Sequence, residues 1–537
     1  MVENSIILVT ILIFFVATFF IIKHKKEIFR VKPVEAFVAD MEHSGLKRVL
    51  GKWGLSALGI GAIIGAGIFV MTGIGAKEHA GPALALSFVI AGIGCTFAAL
   101  CYAEFASFLP VEGSAYAYSY ATLGEFFAWI IGWDLILEYA MAAAAVSVGW
   151  SGYFGKFLAL FNIKLPFWLM NDSFSAASTI AGTNAAGKVE LLKHYSSIHL
   201  PSLFGVPIAF NLPAFLIVWF VTMILIKGIK EAANTNTIMV IIKVVVVLFI
   251  IVVGAQYINI ANWTPFIPEP EIIRGPLGTH AAYGFMGILA GAAYIFFAYI
   301  GFDTVSTHAG EAINPKKDVP FGIILSLIVC TILYILVSLV LTGMVNYKNI
   351  NIQAPIAGAF ASQGLTYAVF IISIAAIAGL TSVLIVMLLG QSRVFYAMSK
   401  DGLLPNNPFG QLHKKFKTPY KANLLTGTAV SLVAAFTPIN VIAELVNIGT
   451  LLAFVIVCTS VWIMRHKEPT RPRPFKAPWI NFVAPMGILF NLTMMLSLGR
   501  HNWERLFFWL ALGVIIYFAY SRRNSLLKVF LKDKEAK

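Results

Sequence analysis

The stretch SALGIGAIIGAGIFVMTG, residues 56–73, decides how this chain is built. It is apolar and about as long as a helix that crosses a bilayer, yet Gly59, Gly61, Gly65, Gly67 and Gly73 fall within it. Glycine is the weakest helix former apart from proline. A helix that unwinds inside a membrane frees amides and carbonyls that lipid cannot satisfy, so such a break must face protein or a water-lined cavity. Gly65-Ala66-Gly67 falls near the middle of the expected span. The outer half-helix would begin near Gly67, where its amides suit a carboxylate. The inner half would end near Ile63, where free carbonyls suit an ammonium group. Close packing through small residues is the plainer reading of one such cluster, so the choice turns on a second break elsewhere.

The rest of the chain supplies the membrane. Of 537 residues, 59% are hydrophobic and 12% charged, and the mean hydropathy is +0.83. Continuous apolar runs recur from end to end, more than a soluble fold could bury. They do not alternate with period two, which excludes a β-barrel. The net charge of +14 comes from basic residues clustered between apolar runs, so it reads as membrane topology rather than nucleic-acid binding. Cys95, Cys101, Cys330 and Cys458 all sit in apolar runs without metal-ligand spacing and read as small core residues.

Thirteen spans are expected, at 5–22, 55–73, 82–108, 125–155, 208–226, 237–254, 284–308, 321–343, 366–390, 423–436, 441–464, 480–498 and 506–520. The first starts VENS and is followed by KHKKEIFR, so its basic flank lies on the C-terminal side, unlike a signal peptide. It reads as an extra anchor helix with its amino end outside. With 23–54 placed inside, the inner segments hold 29 of the 39 Lys and Arg and the outer ones nine, while Lys243 lies within a span. That bias fixes the orientation and puts the C-terminus in the cytoplasm. Asn171-Asp-Ser173 and Asn262-Trp-Thr264 are formal glycosylation triplets that arise often by chance.

The second break lies in span 284–308, in YIFFAYIGFDTVST, where Gly301 follows Phe297-Ala298-Tyr299-Ile300 and Asp303 comes next but one. After the anchor helix is set aside, the two breaks fall in spans one and six of twelve. These are corresponding positions in two five-helix repeats of inverted topology. Paired interruptions of this kind mark the substrate site of a secondary transporter.

Four stretches carry a resemblance to a known family: GIGAIIGAGIFVMTG, AGPALALSFVIAGIGCTFAALCYAEFAS, GSAYAYSYATLGEFFAWIIGWDLILEYA and FFAYIGFDTVSTHAGEAINPKKDVP. Together they resemble the amino acid–polyamine–organocation superfamily, and within it the cationic amino acid transporter family, over roughly residues 45–525. The resemblance implies an all-α polytopic protein with the leucine-transporter-type fold. Residues 55–254 and 284–464 would be the two inverted repeats, 480–520 two further helices and 521–537 a cytoplasmic tail. Residues 1–30, an anchor helix with its basic linker, depart from the family core, and 31–54 would be a cytoplasmic segment. A small membrane protein or a lipid is the candidate partner of that extra helix. The resemblance further implies that a substrate carboxylate meets amides of Gly65, Ala66 and Gly67. Its ammonium would meet carbonyls of Ile63, Phe297, Ala298 and Ile300, with Phe297 as an aromatic gate.

Several polar residues stand inside spans. Lys243, in NTIMVIIKVVVVLFIIVVG, either snorkels to the cytoplasmic interface or is buried as a reversible proton site. The resemblance favours the second: a lysine on this fifth helix stands where sodium-coupled relatives bind sodium, bridging helices one and eight, with Thr381 and Ser382 as its candidate contacts. Asp134 and Glu138 share a helix face. Asp134 is expected near the interface, and Glu138 is either structural or in contact with substrate or proton. Glu104 and Asp303 read as packing or gate residues. Met387 is expected to face the side-chain pocket and to limit long cationic side chains.

The function expected is proton-coupled import of neutral or cationic L-amino acids across the plasma membrane by alternating access, with no metal or organic cofactor. Amino acid exchange is the alternative, and a channel or a sensor with the same site also fits. A membrane-embedded enzyme would need clustered His, Asp or Ser at one membrane face, whereas the ten histidines are scattered. A pump would need a phosphate-binding loop, and GLKRVLGKW at 45–53 has five residues between its glycines and Trp53 where Ser or Thr belongs.

Overall fold

A computed structural model describes residues 29–33, 37, 50–109, 114–183, 189–191, 200–203, 206–227, 232–275 and 278–527. The expected anchor helix at 5–22 lies outside the described residues. Each of the other twelve expected spans is occupied by helix. Among the described residues nine helical stretches are long and apolar enough to cross a membrane, the first of them, Lys52–Phe108, holding two expected spans.

The first span is broken into α1 (Lys52–Ile63) and α2 (67–80). There follow α3 (Leu84–Phe108), a short α4 (Ser114–Thr122), α5 (Glu125–Ala159), α6 (Leu212–Lys227) and α7 (Ala232–Gly254). The sixth span is broken again, into α8 (Gly284–Ile295) and α9 (Thr304–Thr307). The chain continues through α10 (Pro315–Met344), α11 (Pro355–Ser362), α12 (Thr366–Lys400), α13 (Tyr420–Phe436), α14 (Ile439–Lys467), α15 (Ile480–Ser497) and α16 (Arg500–Ile516). α12 runs about ten residues past the expected end of its span at 390, because QSRVFYAMSK stays helical after its apolar run ends. Among the described residues three two-stranded antiparallel ribbons, pairing 181–183 with 189–191, 202–203 with 206–207 and 271–275 with 278–282, lie between the spans.

The helix faces show which surface meets lipid. On α7, Ile241, Val245, Leu248 and Val252 repeat every three to four residues and are all exposed, a stripe that a soluble protein would bury. Lys243 on the opposite face is 1% exposed. The chain is a multi-pass integral membrane protein.

The broken helices run through the middle. α1 packs on α10 and α7, α8 packs on α3, and α12 packs along α5 to close the other side. All four cysteines are free and buried. Glu104, near the C-terminal end of α3, forms a buried ionic cluster with Arg465 of α14 and with Arg473, whose Nε is 3.2 Å away. Its carboxylate also takes the Ala477 amide at 2.9 Å. It thus anchors the loop between α14 and α15, a packing role.

Both ends of the described chain are tied to the same end of this frame, where α5 begins and α12 ends. The Arg30 carbonyl accepts from the Glu125 amide at 2.9 Å, and the Lys32 amide donates to Tyr120 O at 3.2 Å. Lys32 Nζ reaches Asp401 Oδ1, at the end of α12, at 3.1 Å, and Tyr116 donates to the other oxygen of that carboxylate at 2.6 Å. From the C-terminal side, the Leu526 amide donates to Asp401 O at 3.1 Å, and the Ser525 hydroxyl donates to Glu125.

Candidate functional site

The site begins with what the first break leaves unpaired. α1 stops at Ile63, and Ile64 turns to extended backbone (φ −71°, ψ 95°) before the chain rewinds at Gly67. A helix ending there exposes its last carbonyls, and neighbouring helices satisfy them. Lys243 Nζ of α7 donates to Gly61 O at 2.8 Å, and Tyr334 Oη of α10 donates to Ile63 O at 2.7 Å. On the far side of the break Tyr153 of α5 donates to Phe69 O at 2.7 Å. The first amides of α2 begin without acceptors in their own helix.

The second break is built differently. After Ile295 the chain tightens through Phe296–Tyr299, leaves helix at Ile300 (ψ 130°) and turns at Gly301, whose φ of +124° excludes most side chains. Asn447 of α14 donates through Nδ2 to the carbonyls of Ala293 and Tyr294 at 2.9 and 2.7 Å. The Phe297 carbonyl accepts from the Ile300 amide at 3.3 Å. Among the described residues no donor reaches the carbonyls of Ala298 and Ile300.

Two glycines bring the breaks together. A Cβ on Gly67 would stand 2.3 Å from Ala298 Cα, and one on Gly301 would stand 2.9 Å from the Ala62 carbonyl carbon. Each break thus rests its bare backbone on the other, a contact that any side chain would prevent.

Beside this crossing lies a small cavity of about 10 Å³ lined by Ala62, Ile63, Gly65, Ala66, Gly67, Phe297 and Ile300 from the two breaks, Ala142 and Val146 from α5, and Val383 and Met387 from α12. All of these residues are buried. Of the residues singled out in the sequence, Ile63, Gly65, Ala66, Gly67, Phe297, Ile300 and Met387 line it, and Ala298 stands behind Gly67. Ala142, Val146 and Val383 were not anticipated, because an apolar residue in an apolar helix carries no sign of facing a cavity. Neither were Tyr334 and Asn447, whose sequence context names no partner.

Lys243 does not snorkel. It bridges helices, but through other contacts than expected: its ammonium bonds Gly61 O, and its stem packs against the Gly379 position of α12, where a Cβ would meet its Cε at 3.2 Å. Thr381 donates to Ile377 O at 2.7 Å and accepts from Trp150 Nε1 at 3.0 Å. The lysine's hydrogen bond goes neither there nor to Ser382, because helix rotation brings Gly379 to face it instead. Glu138 is buried outside the cavity, one helical turn before Ala142, with Thr450 and Asp303 as neighbours. Asp134 is also fully buried, not at an interface, because α14 covers it: a Cβ at Gly449 would stand 2.9 Å from its Oδ1.

Two discontinuous helices crossing beside a cavity, within a bundle of membrane-length helices, are the architecture of a membrane transporter, not of an enzyme. The amino acid permease family model matches residues 50–519, and the chain belongs to that family, within the amino acid–polyamine–organocation superfamily and close to the cationic amino acid transporters. It is 46% identical over 505 residues to the branched-chain amino acid permease BcaP of Bacillus subtilis (strain 168), covering 94% of this chain and 99% of that one. It is 42% identical over 500 residues to the methylthioribose transporter of the same organism, covering 93% and 99%. Over 440 residues it is 37% identical to the vacuolar cationic amino acid transporter 4 of Arabidopsis thaliana, covering 82% and 67%.

Proposed function

We propose that this protein imports L-amino acids with apolar side chains, coupled to protons, across the plasma membrane with its C-terminus in the cytoplasm. The observation that carries the proposal is the crossing of Gly67 on Ala298 and of Gly301 on Ala62 beside a cavity walled by uncharged groups. A substrate carboxylate sits at the amides of Gly65, Ala66 and Gly67, where the start of α2 concentrates partial positive charge. The ammonium is received by the carbonyls of Ala298 and Ile300, with the remaining lone pairs of Ile63 and Phe297 nearby. Phe297 covers the bound molecule.

Specificity falls to Ala142, Val146, Val383 and Met387. Burying a leucine-sized side chain among them is worth about 1.5–3 kcal/mol. A guanidinium there would lose its water with no carboxylate in the lining to replace it, a cost of several kcal/mol. The similarity to a permease named for branched-chain amino acids supports this reading over a cationic substrate.

Residues 55–254 and 284–464 are two inverted five-helix repeats in this reading, and alternating access moves them about the crossing. The proton is the only coupling ion. Charged Lys243 ties α1 to α7 and α12 through Gly61 O and the Gly379 contact; proton loss weakens that tie and frees α1 to move. Exchange of amino acids would use the same site without needing Lys243.

Purified protein in liposomes tests this with labelled leucine, alanine, arginine and methylthioribose, with and without an inward proton gradient. Gradient-driven leucine uptake, uncoupled from the gradient in Lys243→Ala, is expected. Gradient-independent uptake that the substitution leaves untouched would overturn proton coupling. Uptake of arginine or methylthioribose in preference to leucine would overturn the apolar-side-chain reading.

A further inference from the structure

Asn447 lies outside the cavity lining, yet it is fully buried and holds two backbone carbonyls at the second break. Its side-chain amide has two protons, and both are used: one on Ala293 O, one on Tyr294 O. Serine or threonine has a single hydroxyl proton, and aspartate when ionised has none. In a membrane interior no water replaces a missing donor.

We propose that Asn447 is a positioning residue for substrate recognition. By fixing the last carbonyls of α8, it sets the direction in which Phe296–Tyr299 leaves the helix. That four-residue turn carries Phe297 into the cavity and seats Ala298 on Gly67. It also fixes where the open carbonyls of Ala298 and Ile300 point. α14 thereby reaches the ammonium site without touching the substrate. Tyr294 is tied to α14 a second time: its hydroxyl donates to Asn440 Oδ1 at 3.3 Å, two turns before Asn447 on the same helix face. Asn440 in turn donates to Glu78 at 2.6 Å. The end of α8 is therefore held at its backbone by Asn447 and at its ring by Asn440, which leaves little freedom for the turn that follows.

This rests on the reading that Ala298 and Ile300 receive the substrate ammonium, and the test separates the two. Inhibition of labelled leucine uptake in liposomes is measured with leucine and with 4-methylpentanoate, the same molecule without its ammonium. The wild type is expected to prefer leucine strongly; equal inhibition by both would overturn the ammonium reading itself. In Asn447→Leu, close in size but without donors, the preference is expected to shrink about tenfold, the worth of roughly one well-made hydrogen bond. Asn447→Ser, with one donor, is expected to fall between, and it serves alone if the leucine variant does not reach the membrane. Asn447→Gln, which restores the amide on a longer arm, is expected to recover part of the preference. A purely structural role would lower abundance and thermal stability while leaving the preference within twofold of wild type, and that result would overturn the proposal.

Discussion

Replacing Gly67 by alanine tests the crossing most directly. The added methyl would stand 2.3 Å from Ala298 Cα and 2.6 Å from its Cβ, whereas non-bonded carbons rest about 3.5–4.0 Å apart. The obstacle is backbone, which cannot rotate aside, so the two broken helices must separate by roughly 1.2 Å or more at this point. Overpacking of that size costs about 1–3 kcal/mol of stability, which a protein of this size survives. Its effect on function is larger, because groups from both breaks converge on one small molecule, and a displacement of about 1 Å in such a site costs about a hundredfold. The assay is the initial rate of leucine uptake in liposomes over a range of concentrations, with thermal stability measured in detergent on the same preparation. Gly94→Ala is the comparison: its methyl would meet Phe490 Cδ1 at 2.3 Å, an overlap between α3 and α15, away from the cavity, that turning of the Phe490 ring relieves in part. It is expected to lower stability and leave the Michaelis constant for leucine unchanged. A Gly67→Ala protein whose uptake parameters stay within twofold of wild type would refute the reasoning.

Met387→Ser removes bulk and adds a hydroxyl in the side-chain wall of the cavity. It is expected to admit longer substrates, read as arginine or lysine uptake that the wild type lacks, with leucine uptake weakened several-fold. Tyr334→Phe deletes the donor to Ile63 O; loss of one buried hydrogen bond is expected to lower stability by about 1–2 kcal/mol and raise the Michaelis constant, seen in thermal unfolding and uptake together. Glu104→Gln leaves Arg465 and the buried Arg473 without their carboxylate. Breaking such a buried pair costs about 3–5 kcal/mol, so low membrane abundance is expected, with normal substrate affinity in the protein that remains.

The sequence made the spans legible because a membrane demands long apolar helices, and the two breaks legible because only glycine relieves the backbone at Gly67 and Gly301. Position in the chain then paired them. What it withheld was rotation. Lys243 was recognisable as costly, but whether it faced Gly379, Thr381 or Ser382 depends on how α12 turns against α7. Asp134 reads the same in sequence whether it meets water or α14, and only packing distinguishes the two. Asn447 and Tyr334 are ordinary polar residues in apolar runs until the carbonyls they hold are seen. Val383, Ala142 and Val146 share composition with every lipid-facing position nearby, so hydropathy could not single them out. The C-terminal extension of α12 was lost for a related reason: apolar runs report membrane thickness, not where a helix ends.

The hold on Asp401 and Glu125 from both directions has a practical side. Segment 29–33 and segment 521–527 are fastened to the same two residues, Asp401 at the end of α12 and Glu125 at the start of α5, and further along α12 stand Val383 and Met387. A reporter domain or affinity handle joined near either segment would tug on the wall that feels the cargo. Handles for purification are better carried on an outer loop, and a shift in selectivity after tagging would trace to this shared moorage rather than to the tag's own chemistry.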